Sequence, residues 1–260
     1  MKFWTSIYFF LCLAASLSAQ VSKPKVGVVR YPDQSIRAIY GIPAAFIVGE
    51  QVVARADAIS FSDSAGLLSR AGKIQLIGQD GSVVAEFDAA GTAPVLDVEG
   101  DVNTAIAWLP SRQALLHWDG KAFLVTPLSS PISENVISLR RQSAHAAQLL
   151  LATTDRQVLQ ASVSLDTGDL LSINPLPAVR APAIYQHSYI VFADPAGLEI
   201  QAPDGSFRSL TIPATDLRFE RMSSDFLHLT SASTQQSWVL HLSATQLNLS
   251  ILPALLEAAQ

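Results

Sequence analysis

The chain has 260 residues, with 17 basic against 22 acidic side chains and a formal net charge of −5. Hydrophobic residues make up 49% and charged residues 15%, a balance that excludes an intrinsically disordered chain. The basic residues gather into no patch, so nucleic acid is not an expected partner.

The chain opens with Met1-Lys2, an apolar run from Phe3 to Ala15, and small residues up to Ala19. A short basic start, an apolar middle and small residues at the end are the pattern of a secretory signal. The apolar run is shorter than the roughly 20 residues that a membrane span needs. Cleavage is therefore expected over anchoring, with residues 1–19 removed and Gln20 first in the mature chain. Cys12, the sole cysteine, leaves with the signal. The lipoprotein reading fails because Leu11, not a small residue, precedes it. The mature chain then has no disulfide, thiolate nucleophile or cysteine metal site, and its fold must rest on its own core.

From Val26 onward, two-stranded units recur. Val26–Pro43 reads as two apolar runs around Pro32-Asp33-Gln34-Ser35. Lys73–Phe87 turns at Asp80-Gly81, and Gln113–Pro127 at Asp119-Gly120. Val158–Pro177 turns at Asp166-Thr167-Gly168-Asp169. Leu198–Pro213 turns at Asp204-Gly205, and Ser237–Pro253 at Ser243-Ala244-Thr245-Gln246. Asp-Gly between alternating apolar runs is a strong hairpin signal. Proline, lacking an N–H, punctuates strand ends at Pro43, Pro127, Pro177, Pro213 and Pro253. Pro43 to Pro253 spans 210 residues and five repeats, a mean of 42.

Each of the last five hairpins follows another apolar run: Ala58–Phe61, Ala105–Trp108, Leu149–Ala152, Tyr189–Phe192 and Phe226–Leu229. Their near-continuous apolarity implies burial on both faces. A further run precedes each, such as Ala45–Val48 or Val136–Leu139. Four short strands, a to d from the inside out, in a repeat of about 42 residues are the pattern of a β-propeller. The expected fold is all-β, a propeller of about six blades: five four-stranded units plus the hairpin Val26–Pro43 as an incomplete blade holding only c and d strands. Residues 20–253 form one domain and 254–260 a short tail. A β-sandwich is the rival architecture, but it does not predict five units in one register.

On these repeats, from Val26 to Pro253, the chain resembles secreted bacterial propellers of the broad WD40-like and YVTN-like type. Trp118-Asp119 matches the WD dipeptide; the Gly-His element of WD40 repeats is missing. Ile36–Pro43 also resembles a segment that opens some exported repeat proteins of soil bacteria. The resemblance implies a secreted or periplasmic location.

Motifs of chemistry are absent. The chain has no Gly-x-Ser-x-Gly, Ser-x-x-Lys, His-Glu-x-x-His, Gly-x-x-x-x-Gly-Lys or calcium-loop pattern. His117, His145, His187, His228 and His241 read as core or blade-interface residues. Trp108, Trp118 and Trp238 read as core. No catalytic residue, metal or cofactor is assigned. The candidate binding site comes from topology instead. The b–c turns gather at one mouth of the channel and carry Asp63, Arg112, Asp155, Arg156 and Asp194. Such residues form either a polar ring for a ligand or ordinary turn caps. Charges on the innermost strands (Asp97, Glu99, Arg140, Arg141, Arg218, Glu220, Arg221) are expected to pair across the channel, since buried charges need partners. The functional expectation is an exported, monomeric, non-enzymatic module that binds a protein or a small polar ligand. The alternatives are a hydrolase or lyase acting at the channel mouth, and a degenerate component of an envelope assembly.

Overall fold

The computed structural model describes residues 23–255, apart from 79, 80, 196 and 215. The signal at 1–19, Asp80 and most of the tail lie outside the described residues. The described chain is nearly all strand, and none of its helices is long and apolar enough to cross a membrane. Among the described residues, the only helices are two single-turn ones, at Val102–Thr104 and Pro110–Arg112.

Six antiparallel sheets follow one another. The first holds β1 (Lys25–Arg30), β2 (Ile36–Ile42) and β3 (Ala45–Val53). The second holds β4 (Ala58–Phe61), β5 (Ala65–Arg70), β6 (Lys73–Gly78) and β7 (Val83–Asp88). The third holds β8 (Val95–Asp97), β9 (Ile106–Leu109), β10 (Ala114–Trp118) and β11 (Phe123–Pro127). The fourth holds β12 (Asn135–Arg141), β13 (Ala146–Ala152), β14 (Gln157–Ser164) and β15 (Leu170–Arg180). The fifth holds β16 (Ala183–Gln186), β17 (Tyr189–Asp194), β18 (Gly197–Gln201) and β19 (Phe207–Leu210). The sixth holds β20 (Leu217–Arg221), β21 (Phe226–Ser231), β22 (Ser237–Leu242) and β23 (Leu247–Ile251).

These sheets are the blades of a six-bladed propeller. β4, β8, β12, β16 and β20 neighbour one another in turn around the axis, and β20 returns to β4. Successive residues of a strand point to opposite faces, so each second strand feeds two blade junctions at once. Leu67 packs into the junction with the third blade, and Leu68 into the junction with the first. Leu149 and Leu151 pack against the third blade, and Leu150 against the fifth. This is why those runs are apolar at every position. A buried core cluster fills each of the six junctions, including first-to-sixth and first-to-second. Trp108, Trp118 and Trp238 lie in these clusters.

The outer hairpins follow local chemistry. Asp119 Oδ1 accepts from Lys121 N and Ala122 N at 2.7 and 2.8 Å, while Gly120 takes the left-handed backbone at φ +98°. At the next such turn, Asp204 Oδ1 accepts from Ser206 N at 2.9 Å, and Gly205 has φ +82°. Only glycine enters that region without steric cost. Pro175 and Pro177 sit within β15, an outer edge strand whose N–H groups need no partner on that side.

The first blade differs from the expected hairpin. Among the described residues it has three strands and lacks only the innermost one. Ala45–Val53 is its outermost strand, not the inner strand of the next unit, and Val26–Pro43 supplies its b and c strands. Ala58–Phe61 is accordingly strand a of the second blade. Ala65–Arg70, unrecognised in the sequence, is its strand b. The cause is the turn Ser62-Asp63-Ser64. Ser62 Oγ accepts from Ala65 N at 3.0 Å and closes this a–b turn; in the sequence it reads as a b–c turn, so the strand after it is passed over.

Among the described residues, no C-terminal strand completes the first blade. The ring closes face to face: β1 lies against β21 and β4. Val28 N donates to Met222 O at 3.0 Å. Gly27 allows that approach, because a Cβ there would collide with the Met222 carbonyl. Arg30, from the first blade, donates to Glu220 of β20 through Nε at 2.8 Å and through Nη2, beside the place that a sixth inner strand would occupy.

Candidate functional site

In each blade, b–c turns and d–a connections emerge at one end of the ring, called upper here, and a–b and c–d turns at the lower end. Four of the five candidate residues lie at the upper end. Asp155 and Arg156 form the β13–β14 turn, where Thr153 Oγ1 donates to Asp155 and holds its carboxyl below the usual carboxylate range. Arg156 takes φ +66° and donates from Nε and Nη2 to Ala181 O at 2.9 and 2.7 Å. That ties the turn to the connection between the fourth and fifth blades. Arg180 donates from Nη1 to Pro177 O at 2.6 Å. Asp155, Arg156, Arg180 and Asp194 line one cavity of about 350 Å³, with Ala193 and Pro195. Three of the sequence candidates therefore converge, with one additional arginine.

The other two do not join them. Arg112 sits between the second and third blades, where Nη2 donates to Asp88 O at 3.2 Å and the guanidinium lies 5.3 Å from the Phe87 ring centroid. Asp63 is at the lower end, in an a–b turn, because β5 follows it. Its backbone N donates to Ser224 Oγ at 3.4 Å, joining the second blade to the sixth.

The axis holds a second polar group. A cavity of about 160 Å³ is lined by residues from all five inner strands. Ala58, Pro94 and Val95 lie toward its upper side, where the inner strands begin. At the far ends of β8 and β20, Asp97 and Arg221 pair at 2.9 Å, with side chains 6% and 1% exposed. Arg221 Nη2 also donates to Tyr185 O at 2.9 Å. Asp97 Oδ2, Arg221 Nε and Arg221 Nη1 are buried and have no hydrogen-bond partner. Burial pushes the Asp97 carboxyl up to about 6; the Arg221 charge opposes this and Glu99 adds to it.

Below this pair, His187 bridges two carboxylates. Its Nδ1 is 3.2 Å from Glu99 and its Nε2 is 3.2 Å from Asp225. The bridge joins the third, fifth and sixth blades. The bond to Glu99 raises the His187 pKa above its ordinary value; burial opposes it, and Asp225 adds to the rise. For Glu99, burial pushes upward, but the His187 bond and the Arg221 and Arg140 charges outweigh it and hold the carboxyl low. His187 takes the left-handed backbone at φ +52°. Beside it, Gln186 is fully buried and donates to Ser223 O at 3.4 Å and to Ser224 O. Sequence reasoning placed His187 in a generic interface role and did not single out Gln186 or Asp225. The one local signal was a Gln-His-Ser turn between two apolar runs.

Both ring nitrogens of His187 face carboxylates, so neither is free to ligate a cation. Among the described residues, no group of three or more His, Cys, Asp or Glu is placed to hold a metal ion. The expected pairing of inner-strand charges is realised by Asp97 with Arg221; Glu220 pairs instead with Arg30, which reaches in from β1 of the first blade.

No protein-family model matches the chain, and no curated protein matches it in sequence. Several solved structures resemble it in shape. Hydrazine synthase of Kuenenia stuttgartiensis is 12% identical, with 85% of this chain and 78% of that chain covered and a TM-score of 0.47. The β-propeller domain of Cps50 (Swd1) from Myceliophteria thermophila is 9% identical, with 90% and 88% covered and a TM-score of 0.49. PorZ of Porphyromonas gingivalis is 11% identical, with 90% and 39% covered and a TM-score of 0.48. The propeller assignment rests on the six sheets and six filled junctions described above.

Proposed function

We propose that this chain is an exported, non-enzymatic β-propeller that serves as a binding module and engages a polar partner on its upper face. The observation that carries the reading is the convergence of Asp155, Arg156, Arg180 and Asp194 on one cavity between the fourth and fifth blades. Two guanidiniums and two carboxylates at one opening suit a partner presenting both signs of charge. Arg156 is held by its bonds to Ala181 O, so one charge of the cavity is positioned before any partner arrives. Export rests on the signal pattern of residues 1–19, with release to the periplasm or the exterior.

The test is capture from an envelope extract of the source cells by the tagged mature chain. The expected result is a partner retained by the wild type and lost with Asp155→Lys together with Asp194→Lys. Equal capture by both forms removes the upper face from the reading. N-terminal sequencing of the exported product is expected to begin at Gln20. The rival reading, a hydrolase or lyase, draws on the carboxylate–imidazole–carboxylate line of Glu99, His187 and Asp225. Turnover of any ester, lactone or glycoside in a panel, abolished by His187→Asn, replaces the non-enzymatic reading with that one.

A further inference from the structure

The axial cavity has no part in the upper-face reading, yet its floor is built from charges that the protein satisfies only in part. Arg221 and Asp97 are almost fully buried, and three of their polar atoms have no hydrogen-bond partner. A buried donor or acceptor left unpaired costs about 1–3 kcal/mol, and more when charged. Such atoms at the bottom of a cavity favour whatever supplies the complementary groups. We propose that the axial cavity is a binding site for a small zwitterion of the amino-acid class, with a short apolar side chain.

Three features set that chemistry. The first is charge. The floor presents one cation and one anion, and Glu220, which also lines the cavity, is already paired with Arg30. A lone anion would be attracted to Arg221 and repelled by Asp97, and a lone cation the reverse. A molecule carrying both signs meets both groups. Its carboxylate pairs with the Arg221 side chain and its ammonium with the Asp97 carboxyl, both of which line the cavity. The second is size. Water occupies about 30 Å³ in the liquid. A cavity of about 160 Å³ therefore takes roughly five waters, or one molecule of about five to eight non-hydrogen atoms. The third is the collar. Pro94, Ile137, Ile184 and Phe219 line the cavity beside the polar floor. Ile137 sits at a register shift in β12, between Val136 and Ser138, where the ladder to β13 skips a residue. Bulges of this kind re-aim a side chain. The collar gives a short aliphatic group an apolar surface and leaves no room for a long one.

The test uses the mature full chain, calorimetry and thermal melting, with glycine, alanine and valine as probes and acetate and methylammonium as single-charge controls. Binding is expected for the zwitterions, with a Tm rise of about 5–10 °C at a hundredfold excess over Kd. At the same concentrations, each control should show at least a tenfold weaker effect. Ile137→Trp fills the collar without touching the ion pair and is expected to abolish binding while the protein still melts cooperatively. If Ile137→Trp does not fold, Ile184→Phe gives the same reading. No binding of any zwitterion to the folded wild type overturns the proposal, and so does acetate binding equal to that of alanine. Zwitterion binding that survives a folded collar variant also overturns it. None of these outcomes depends on Asp155 or Asp194, so failure here leaves the upper-face reading standing.

Discussion

The axial floor and the upper cavity hold the same kinds of side chain under opposite conditions. At the axis, Asp97 and Arg221 are walled in by inner strands and almost fully buried. At the rim, Asp155 lies in water, with Thr153 and its own turn as its neighbours. Burial raises the Asp97 carboxyl to about 6, whereas the turn bond lowers that of Asp155. The same chemical group is thus a structural commitment in one place and an adaptable contact in the other. Desolvation makes charge pairs costly to break, and exposed pairs contribute little.

Breaking the axial pair is the largest expected effect. Arg221→Met leaves the Asp97 charge buried alone and is expected to cost about 3–5 kcal/mol in urea denaturation. Replacing both charges, with Asp97→Leu and Arg221→Met, should recover most of that loss, since no charge is then buried. A single variant as stable as the wild type would show that the floor is wetter than its exposure suggests.

The next effect is at the closure of the ring. Gly27→Ala forces a methyl against the Met222 carbonyl and should cost on the order of 1–3 kcal/mol, read as a lowered urea midpoint. The same substitution at Gly81, where nothing lies within 4 Å of a built Cβ, meets no such wall; the cost there is the left-handed backbone alone.

The pH dependence separates the two regions further. The folded-state pKa of His187 is raised, so its contribution is complete below its ordinary value near 6.5 and is lost as pH rises through the higher folded value. Asp97 acts with the same sign: its raised pKa adds stability below the ordinary carboxylate range, and this is lost as pH climbs through about 6. Stability is therefore expected to fall between the ordinary carboxylate range and about pH 6 through Asp97, and again as pH rises above about 6.5 through His187, measured as urea midpoints across both ranges. His187→Asn should flatten the upper part of the fall, and Asp97→Asn the lower. The smallest effect belongs to the rim: Asp155→Asn should leave the midpoint unchanged within error while weakening capture of an upper-face partner.

Much of the architecture was legible. Asp119-Gly120 and Asp204-Gly205 mark hairpins by backbone chemistry that operates locally, so they read correctly from the sequence alone. The four-strand repeat followed, as did the convergence of Asp155, Arg156 and Asp194 at one end. Ala65–Arg70 was not legible. The turn at Asp63 was legible, but the run before it is as apolar as a second strand, so the turn reads as a b–c turn and the strand after it is passed over. That one missed strand moved Asp63 to the wrong end of the ring and made Ala45–Val53 look like an inner strand. Arg112 was placed at the correct end but in the wrong company, because the Phe87 ring and the Asp88 carbonyl of the neighbouring blade hold it.

What the sequence determined by itself is the local alternation: short apolar runs, most of their turns, and the charges on the innermost strands. Those depend on contacts between residues close in the chain. Only the tertiary structure decided which charges meet. Asp97 and Arg221 come from the third and sixth blades, and His187 of the fifth lies between Glu99 of the third and Asp225 of the sixth. Their pairing depends on a ring in which, among the described residues, five inner strands surround the axis, and no local pattern carries that arrangement. With β20 and β4 as neighbours, the axial floor takes its geometry from that arrangement.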